Sequence, residues 1–380
     1  IGTEELPAAY LPDLIQQLKR EGEALFRAHH LSFTQVQAYG TPRRLTLVVR
    51  NLTSVQHKPA EKIRGPSQHA AYDAGEQPTK ALLGFLRSRS GTVSQTELVL
   101  TDKGAYVYLL KPARAVPTPT VLPAILPELV LSLRAPKTMR WDASGVRFAR
   151  PIRWLLALYG SRPIRCQVGR LTSGAKTWVD GPLRPRAVAV SSTARYFGLL
   201  KAHQVLLDQE ERRDRIERAV AHAAQQSGGT LASEMMSHGL LEEVADLVEW
   251  PTVLVGAFDP SYLTLPREVL LASMAKYQRV FAIESGTALL PTFVAILDGS
   301  PTRPANVRRI VERILNARLA DSLLFLKEDH EHLPLERLAE GLSGVMFHER
   351  LGSMADKTLR LRGLCEPLAE AWRLTDEERS

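Results

Sequence analysis

The chain has 380 residues, 44% of them hydrophobic, and carries 49 Lys and Arg against 41 Asp and Glu, a formal charge of +8. That length exceeds one ordinary core, so two or three domains are expected, and the apolar content excludes wholesale disorder. No apolar run approaches the roughly 20 residues that a membrane-spanning helix needs. The two cysteines, Cys166 and Cys365, form no CxxC pattern, which points away from zinc or a disulfide framework and toward a reducing, cytoplasmic setting. The chain opens on Ile1-Gly2-Thr3-Glu4-Glu5 with neither Met nor a charged-then-apolar leader, so residues ahead of it are expected to be missing or removed.

In chain order, residues 12–29 predict an amphipathic helix with Leu14, Leu18 and Leu25 on one side, opened by Pro12 or Asp13. Phe33–Tyr39 alternates as a strand, Gly40–Arg44 turns, and Leu45–Arg50 is a second strand. Residues 57–80 read as polar and turn-rich. Lys80–Arg89 predicts a short helix, and Leu98–Leu110 a hairpin turning at Asp102-Lys103-Gly104. Five prolines between Pro112 and Pro127 predict a stiff connector before or within a helical segment. Arg147–Tyr159 and Arg165–Leu171 read as strands, and the stretch from Pro182 to Arg186 as a loop.

A change comes near residue 196. Residues 196–226 predict charge-laced helix, with Asp, Glu and Arg paired at helical spacing from Asp208 to Arg218. Leu240–Val248 predicts an amphipathic helix and Trp250–Phe258 a strand. Pro266–Tyr277 is a helix with Pro at its start. Phe281–Ile283 and Thr292–Leu297 flank Gly286 as a hairpin, Asn306–Phe325 is a long helix with Leu323–Leu326 expected in a core, and 335–373 is helical again. The fold class is α+β and multidomain, with mixed or antiparallel sheets and packed helices. The expected divisions are 1–195, 196–334 and 335–380.

The charge is a band rather than an average. Arg134–Arg195 holds thirteen Lys or Arg and two acids, Asp142 and Asp180, a balance of +11, while the rest of the chain sums to −3. Within it Met139-Arg140-Trp141 and Phe148-Ala149-Arg150-Pro151-Ile152-Arg153-Trp154 interleave arginines with tryptophans. Guanidinium forks match phosphate oxygens, and both Arg and Trp stack on bases, so the band suits RNA. A second reading stands beside it: Trp141 and Trp154 pack in a core, with Arg on the wet face or capping the ring.

Motifs for chemistry are absent. There is no GxxxxGK[ST] or GxGxxG phosphate cradle, no GxSxG elbow and no HExxH. Asp329-His330-Glu331-His332 is the one metal-like cluster, but His-x-His alone is a weak signal and at a helix–loop junction is far more often solvated polarity than a metal site. Glu4/Glu5 and Glu242/Glu243 are possible acid/base pairs. Glu242 and Asp246, at helical spacing, would repel unless a cation or an RNA-binding Arg sits between them.

Ordered motifs along the whole chain resemble one family. They are Ile1-Gly-Thr-Glu-Glu-Leu-Pro7, Thr41-Pro-Arg-Arg-Leu45, Gly65-Pro66, Asp73-x-x-x-x-Pro78-Thr79-x-Ala81-x-x-Gly84-Phe85, Met139-Arg-Trp141, Phe148-x-Arg-Pro-Ile-Arg-Trp154, Leu240-Leu-Glu-Glu-Val244, Leu247-Val-Glu-Trp-Pro251, Leu265-Pro-x-Glu-Val269, Ala317-Arg-Leu-Ala-Asp321 and Leu351-Gly-Ser353 with Asp356-Lys357. The family is the beta subunit of bacterial heterotetrameric glycyl-tRNA synthetase.

The resemblance implies two alpha and two beta subunits attaching glycine to tRNA(Gly). The class II site for ATP, Mg and glycine lies in the alpha subunit, so no cofactor is expected in this chain. It implies tRNA recognition by the beta subunit, a B3/B4-like N-terminal region, and a truncated HD-like helical domain beginning near residue 335 in a chain nearly twice as long. Three family segments differ here. They read Val179-Asp-Gly-Pro-Leu-Arg184, Met274-Ala-Lys-Tyr277-Gln278 and Ile310-Val-Glu-Arg-Ile314, and the first two lack the family's His. Arg184, Gln278 and Arg313 keep the remaining polar positions. The expected tRNA contacts are Arg43, Arg44, Arg140, Arg150, Arg153, Arg184, Lys276 and Arg279. Two further readings are an assembly module docking the alpha subunit, with Leu240–Trp250 as one possible surface, and an editing hydrolase using His330 and His332.

Overall fold

A computed structural model describes residues 1–73, 75–181, 185–237, 239–331 and 335–375. The chain divides into two compact units. The first is Ile1–Ala219 with Leu241–Val253 and Ile296–Ser300, and the second is Val220–Leu240 and Leu254–Ala295 with the residues from Pro301 on. The architecture is mixed helix and small antiparallel sheets. No helix among the described residues is long and apolar enough to cross a membrane.

The first unit opens with strand β1 (Gly2–Thr3) and helix α1 (Leu11–Ala28). Leu11, Leu14, Leu18 and Phe26 recur at helical spacing and are buried, which fixes the inner face of α1. Pro12 sits in the first turn, where the missing N–H costs no helical bond, and Asp13 complements the dipole there. The hairpin β2 (Gln35–Thr41) and β3 (Arg44–Arg50) turns through Pro42-Arg43, with Thr41 opposite Arg44.

The stretch from 57 to 80, expected as turns, instead holds β4 (Val55–Lys58), β5 (Glu61–Ser67) and α2 (Gln68–Ala71). Then come α3 (Lys80–Ser88), the hairpin β6 (Thr96–Thr101) and β7 (Gly104–Lys111), β8 (Arg114–Pro117) and α4 (Thr118–Ser132). The sheet order β5-β7-β6 packs Val107 and Leu109 against Leu82 and Leu86 of α3. The proline-rich stretch is helix. Pro119, Pro123 and Pro127 recur every four residues, while Leu122, Ile125, Leu129 and Val130 are buried and hold α4 in place despite the lost backbone bonds.

The basic band is a run of short strands: β9 (Met139–Arg140), β10 (Arg147–Phe148), β11 (Ile152–Trp154), β12 (Leu158–Tyr159), β13 (Arg162–Pro163), β14 (Gln167–Val168), β15 (Leu171–Thr172), β16 (Lys176–Val179) and β17 (Arg186–Ala189). The sheet β11-β1-β3-β2 carries the first two motifs and the Phe148–Trp154 motif side by side. Its core gathers Leu14, Leu18, Leu45, Leu129, Phe148, Ile152 and Leu155, with Trp141 packed against it. Helices α5 (Tyr196–Ala202) and α6 (Gln209–Gln226) break the expected single helical stretch at 203–208.

Next along the chain are β18 (Thr230–Leu231), α7 (Ser233–Ser237), α8 (Leu240–Ala245), β19 (Pro251–Ala257), α9 (Arg267–Ala272) and a π-helical turn over Ser273–Gln278. Strands β20 (Phe281–Ser285) and β21 (Ala288–Asp298) pair around Gly286, whose positive φ of 64° suits the tight turn. In the order β18-β20-β21-β19, the sheet buries Phe281, Ile283, Phe293 and Val294.

The last elements are α10 (Pro304–Glu331), α11 (Leu335–Gly341), β22 (Met346–His348), β23 (Gly352–Ser353) and α12 (Met354–Ala371). Two expectations fail here. Leu324 and Phe325 are exposed rather than in a core; the buried side of α10 is Leu315 and Leu319. The segment from 335 is not all helix, because Met346 pairs with Ser353 and His348 with Gly352 in a small hairpin. Ser353 and Asp356 then cap α12 reciprocally, each side chain accepting from the other's backbone N–H.

Candidate nucleic-acid interface

Arg43 and Arg44 sit at the turn of the β2–β3 hairpin, and their guanidinium groups meet Glu249, which follows α8. Arg44 donates from Nε to Glu249 Oε1 (3.0 Å), from Nη1 to Thr177 Oγ1 (3.2 Å) and from Nη2 to the carbonyl of Trp178 (3.0 Å). Arg43 donates from Nη2 and Nε to Glu249 Oε2 (2.7 and 3.1 Å) and from Nη2 to Asp298 Oδ2 (2.8 Å). Thr41 Oγ1 donates to Glu249 Oε1 (2.6 Å). Asp298 Oδ1 accepts the backbone N–H of Glu249 and of Trp250 (2.8 and 3.0 Å).

Glu249 and Arg44 are each 2% exposed. Burial alone would push the Glu249 carboxyl up, but Arg44 and Arg43 outweigh it and pull its pKa down to about 2. A buried carboxylate with two guanidinium partners is a satisfied structural knot. The expectation that Arg44 faces RNA is therefore corrected: it has almost no exposed surface and its donors are committed. The Arg43 side chain keeps 12% of its surface and also reaches Glu5 (3.2 Å).

Around this knot lies a cleft of about 800 Å³ lined by Glu4, Glu5, Arg43, Arg150, Arg153, Trp154 and Trp178. Arg150 donates to the carbonyl of Glu5 (3.1 Å), and the exposed Arg153 pairs with Glu4. Trp154 stacks at a tilt on Trp178 (centroids 5.3 Å apart) beneath the Arg44 guanidinium (5.7 Å). Gly2 lies opposite Trp154 in the β1–β11 pair, and a Cβ there would fall inside the indole. The band's three tryptophans thus pack in the protein, Trp141 on the core and Trp154 and Trp178 on one another. The motifs at 1–7, 41–45, 148–154 and 247–251 converge on one place.

A second buried cation lies nearby in the same unit. Arg212 is wholly buried and donates to the carbonyls of Gly40 (2.8 Å), Leu206 (2.7 Å), Leu207 (3.2 Å) and Ala245 (2.8 Å). Asp246 stands 3.8 Å away, and burial, opposed by Arg212, raises its pKa to about 6. Arg213 pairs with Glu242 at 3.2 Å. The expected Glu242–Asp246 repulsion is thus relieved by one arginine at each acid.

Among the remaining expected residues, Arg140 is exposed on β9. Lys276 and Arg279 belong to the second unit: Lys276 is exposed on the π turn, 5.9 Å from the Tyr277 ring, and Arg279 ends that turn in the left-handed conformation (φ 52°). Arg184 and His332 fall outside the described residues. Among the described residues no three His, Cys, Asp or Glu are grouped to hold a metal. The 240–250 segment, considered as a docking surface, has Leu240, Leu241, Val244 and Val248 buried. Sequence reasoning missed Glu249, Asp298, Arg212 and Trp178 as site residues. Only Glu249 carried a signal, an acid set among apolar residues within a recognisable motif.

Comparison with known proteins bears on what this assembly belongs to. The sequence model of the family described as glycyl-tRNA synthetase beta subunit matches residues 1–380. Among curated relatives, the glycine–tRNA ligase beta subunit of Desulforudis audaxviator is 39% identical over 381 residues, covering 100% of this chain and 55% of its own length. That of Moorella thermoacetica is 39% identical over 378 residues (99% of this chain, 54% of the relative). That of Clostridioides difficile is 37% identical over 378 residues (100% and 54%). The chain thus spans about half the length of the curated relatives it matches. With the family match running from the first residue to the last, the chain belongs to the glycyl-tRNA synthetase beta subunit family.

Proposed function

We propose that this chain serves a cytoplasmic glycine–tRNA ligase as the N-terminal part of its beta subunit, supporting tRNA binding and assembly with a catalytic alpha subunit. The family match over all 380 residues carries this reading. ATP, Mg and glycine are handled by the alpha subunit, within an assembly of two alpha and two beta subunits. The region up to residue 195 takes the B3/B4-like role and the segment from 335 begins an HD-like domain.

The chain's own contribution is electrostatic. The band from Arg134 to Arg195 supplies cations to tRNA phosphates, with Arg140, Arg150 and Arg153 as contacts and Lys276 and Arg279 as a further pair on the second unit. Arg43 and Arg44 act one step back, by fixing the wall from which Arg150 and Arg153 project. A glycylation assay with the alpha subunit tests the reading: charging of tRNA(Gly) should require the intact beta protein. Full-rate charging by the alpha subunit alone would contradict it.

A further inference from the structure

The ladder of β9 and β10 sets Arg147 directly opposite Arg140, with Phe148 opposite Met139. Residues opposite one another in an antiparallel pair point to the same face, and neighbours along the strand point to the other. Phe148 is buried, so its face is the inner one, and the two exposed arginines share the outer face. Like charges in that position repel and weaken the ladder unless something anionic lies between them.

A third arginine joins them. Arg170 is exposed at the tip of the β14–β15 hairpin, where Val168 pairs with Leu171. The tip lies against the turn that links β9 to β10, since a Cβ on Gly169 would meet Ser144 Oγ and Val146 Cγ2 at 2.7 and 3.1 Å. Gly169 also has a positive φ of 58°.

Asp142 is the acid of that turn; its hydrogen bonds go to Ser144, and the nearby Arg170 and Arg140 charges further favour its ionised form, so one acid faces three arginines. It accepts from the backbone N–H of Ser144 (2.8 Å) and from Ser144 Oγ (2.5 Å). Among the described residues, Arg140, Arg147 and Arg170 make no ion pair. Arg147 Nε donates to Thr138 Oγ1 (3.2 Å), which steadies its side chain.

We propose that Arg140, Arg147 and Arg170 form a phosphate-binding cluster that grips the sugar–phosphate backbone of a structured RNA. The cross-strand pair chelates one phosphate, and Arg170 extends the grip from the neighbouring hairpin. The cluster is separate from the Arg43–Arg44–Glu249 knot, whose guanidinium groups already have carboxylate partners. It deepens the tRNA-binding reading and rests on it.

The test is tRNA binding by the 380-residue chain across a salt titration, comparing Arg140→Gln/Arg147→Gln/Arg170→Gln with a control of equal charge loss outside the band, Arg87→Gln/Arg89→Gln/Lys103→Gln. The cluster variant should bind about tenfold or more weakly at low salt and lose roughly two units from the slope of log affinity against log salt, with the control near wild type. It should melt at or above the wild-type temperature, because a repulsive pair has been removed. Equal tRNA binding by cluster variant and wild type, with inorganic phosphate shifting neither melting temperature, overturns the cluster while leaving the tRNA reading intact. Absence of wild-type binding at low salt overturns both. If inorganic phosphate raises the wild-type melting temperature and leaves the variant's unchanged, while tRNA binding is unaffected by the substitutions, the cluster is a small-anion site and the RNA assignment falls.

Discussion

Arg44 and Glu249 lie 205 residues apart in sequence and meet at 3.0 Å, each with 2% of its surface exposed. Their pairing ties the β2–β3 hairpin to the segment after α8 inside the first unit. Removing one partner leaves the other charge buried without its match, which typically costs about 3 to 5 kcal/mol. Glu249→Ala should therefore unfold at markedly lower denaturant in equilibrium urea titrations. Arg153→Gln, which breaks an exposed pair with Glu4, should shift stability by less than about 1 kcal/mol.

The same carboxylate sets an acid limit. Its folded pKa of about 2 lies below the ordinary 4.5, so its contribution is full above 4.5 and is lost as pH falls toward 2. Thermal melts of wild type should drop more steeply between pH 4.5 and 2 than those of Glu249→Gln. Parallel curves would remove Glu249 as the source.

Asp246 runs the other way. Its folded pKa of about 6 lies above the ordinary 3.8, so the stability it contributes is present below 3.8 and is lost as pH rises through about 6. Asp246→Asn should raise the melting temperature at pH 7 relative to wild type, with the gap closing as pH falls below 4. A lower melting temperature for the variant at pH 7 would show that the Asp246–Arg212 attraction outweighs the burial cost.

Gly2 leaves room for Trp154. Gly2→Ala should displace the indole, weaken the near-ultraviolet circular dichroism of the Trp154–Trp178 stack and cost on the order of 1 to 3 kcal/mol. An unchanged near-ultraviolet spectrum would show that the ring has another place to go.

Local pattern made much of the fold legible. The period of α1, the alternation of β2 and β3 around Pro42-Arg43, and the Asp102-Lys103 turn all depend on residues near in sequence. Strands β4 and β5 were hidden because His57, Lys58, Glu61 and Lys62 are exposed and polar, and their pairing with β8 and β7 is long-range. Helix α4 was obscured by its prolines, whose penalty is met by tertiary burial of Leu122, Ile125 and Leu129. The site was legible only in composition. The adjacent Arg43 and Arg44 look like a surface basic pair, and nothing nearby in sequence announces that Glu249 and Asp298 will neutralise them. The facing of Arg140 and Arg147 likewise appears only once the β9–β10 register is fixed.

The proposed binding of tRNA by the exposed cationic band is checked by a filter-binding titration of tRNA(Gly) against the 380-residue chain from low to high salt. Binding at low ionic strength should fall steeply and log-linearly with salt as counterions compete for the phosphates. Binding independent of salt, or none at the lowest ionic strength, would contradict it.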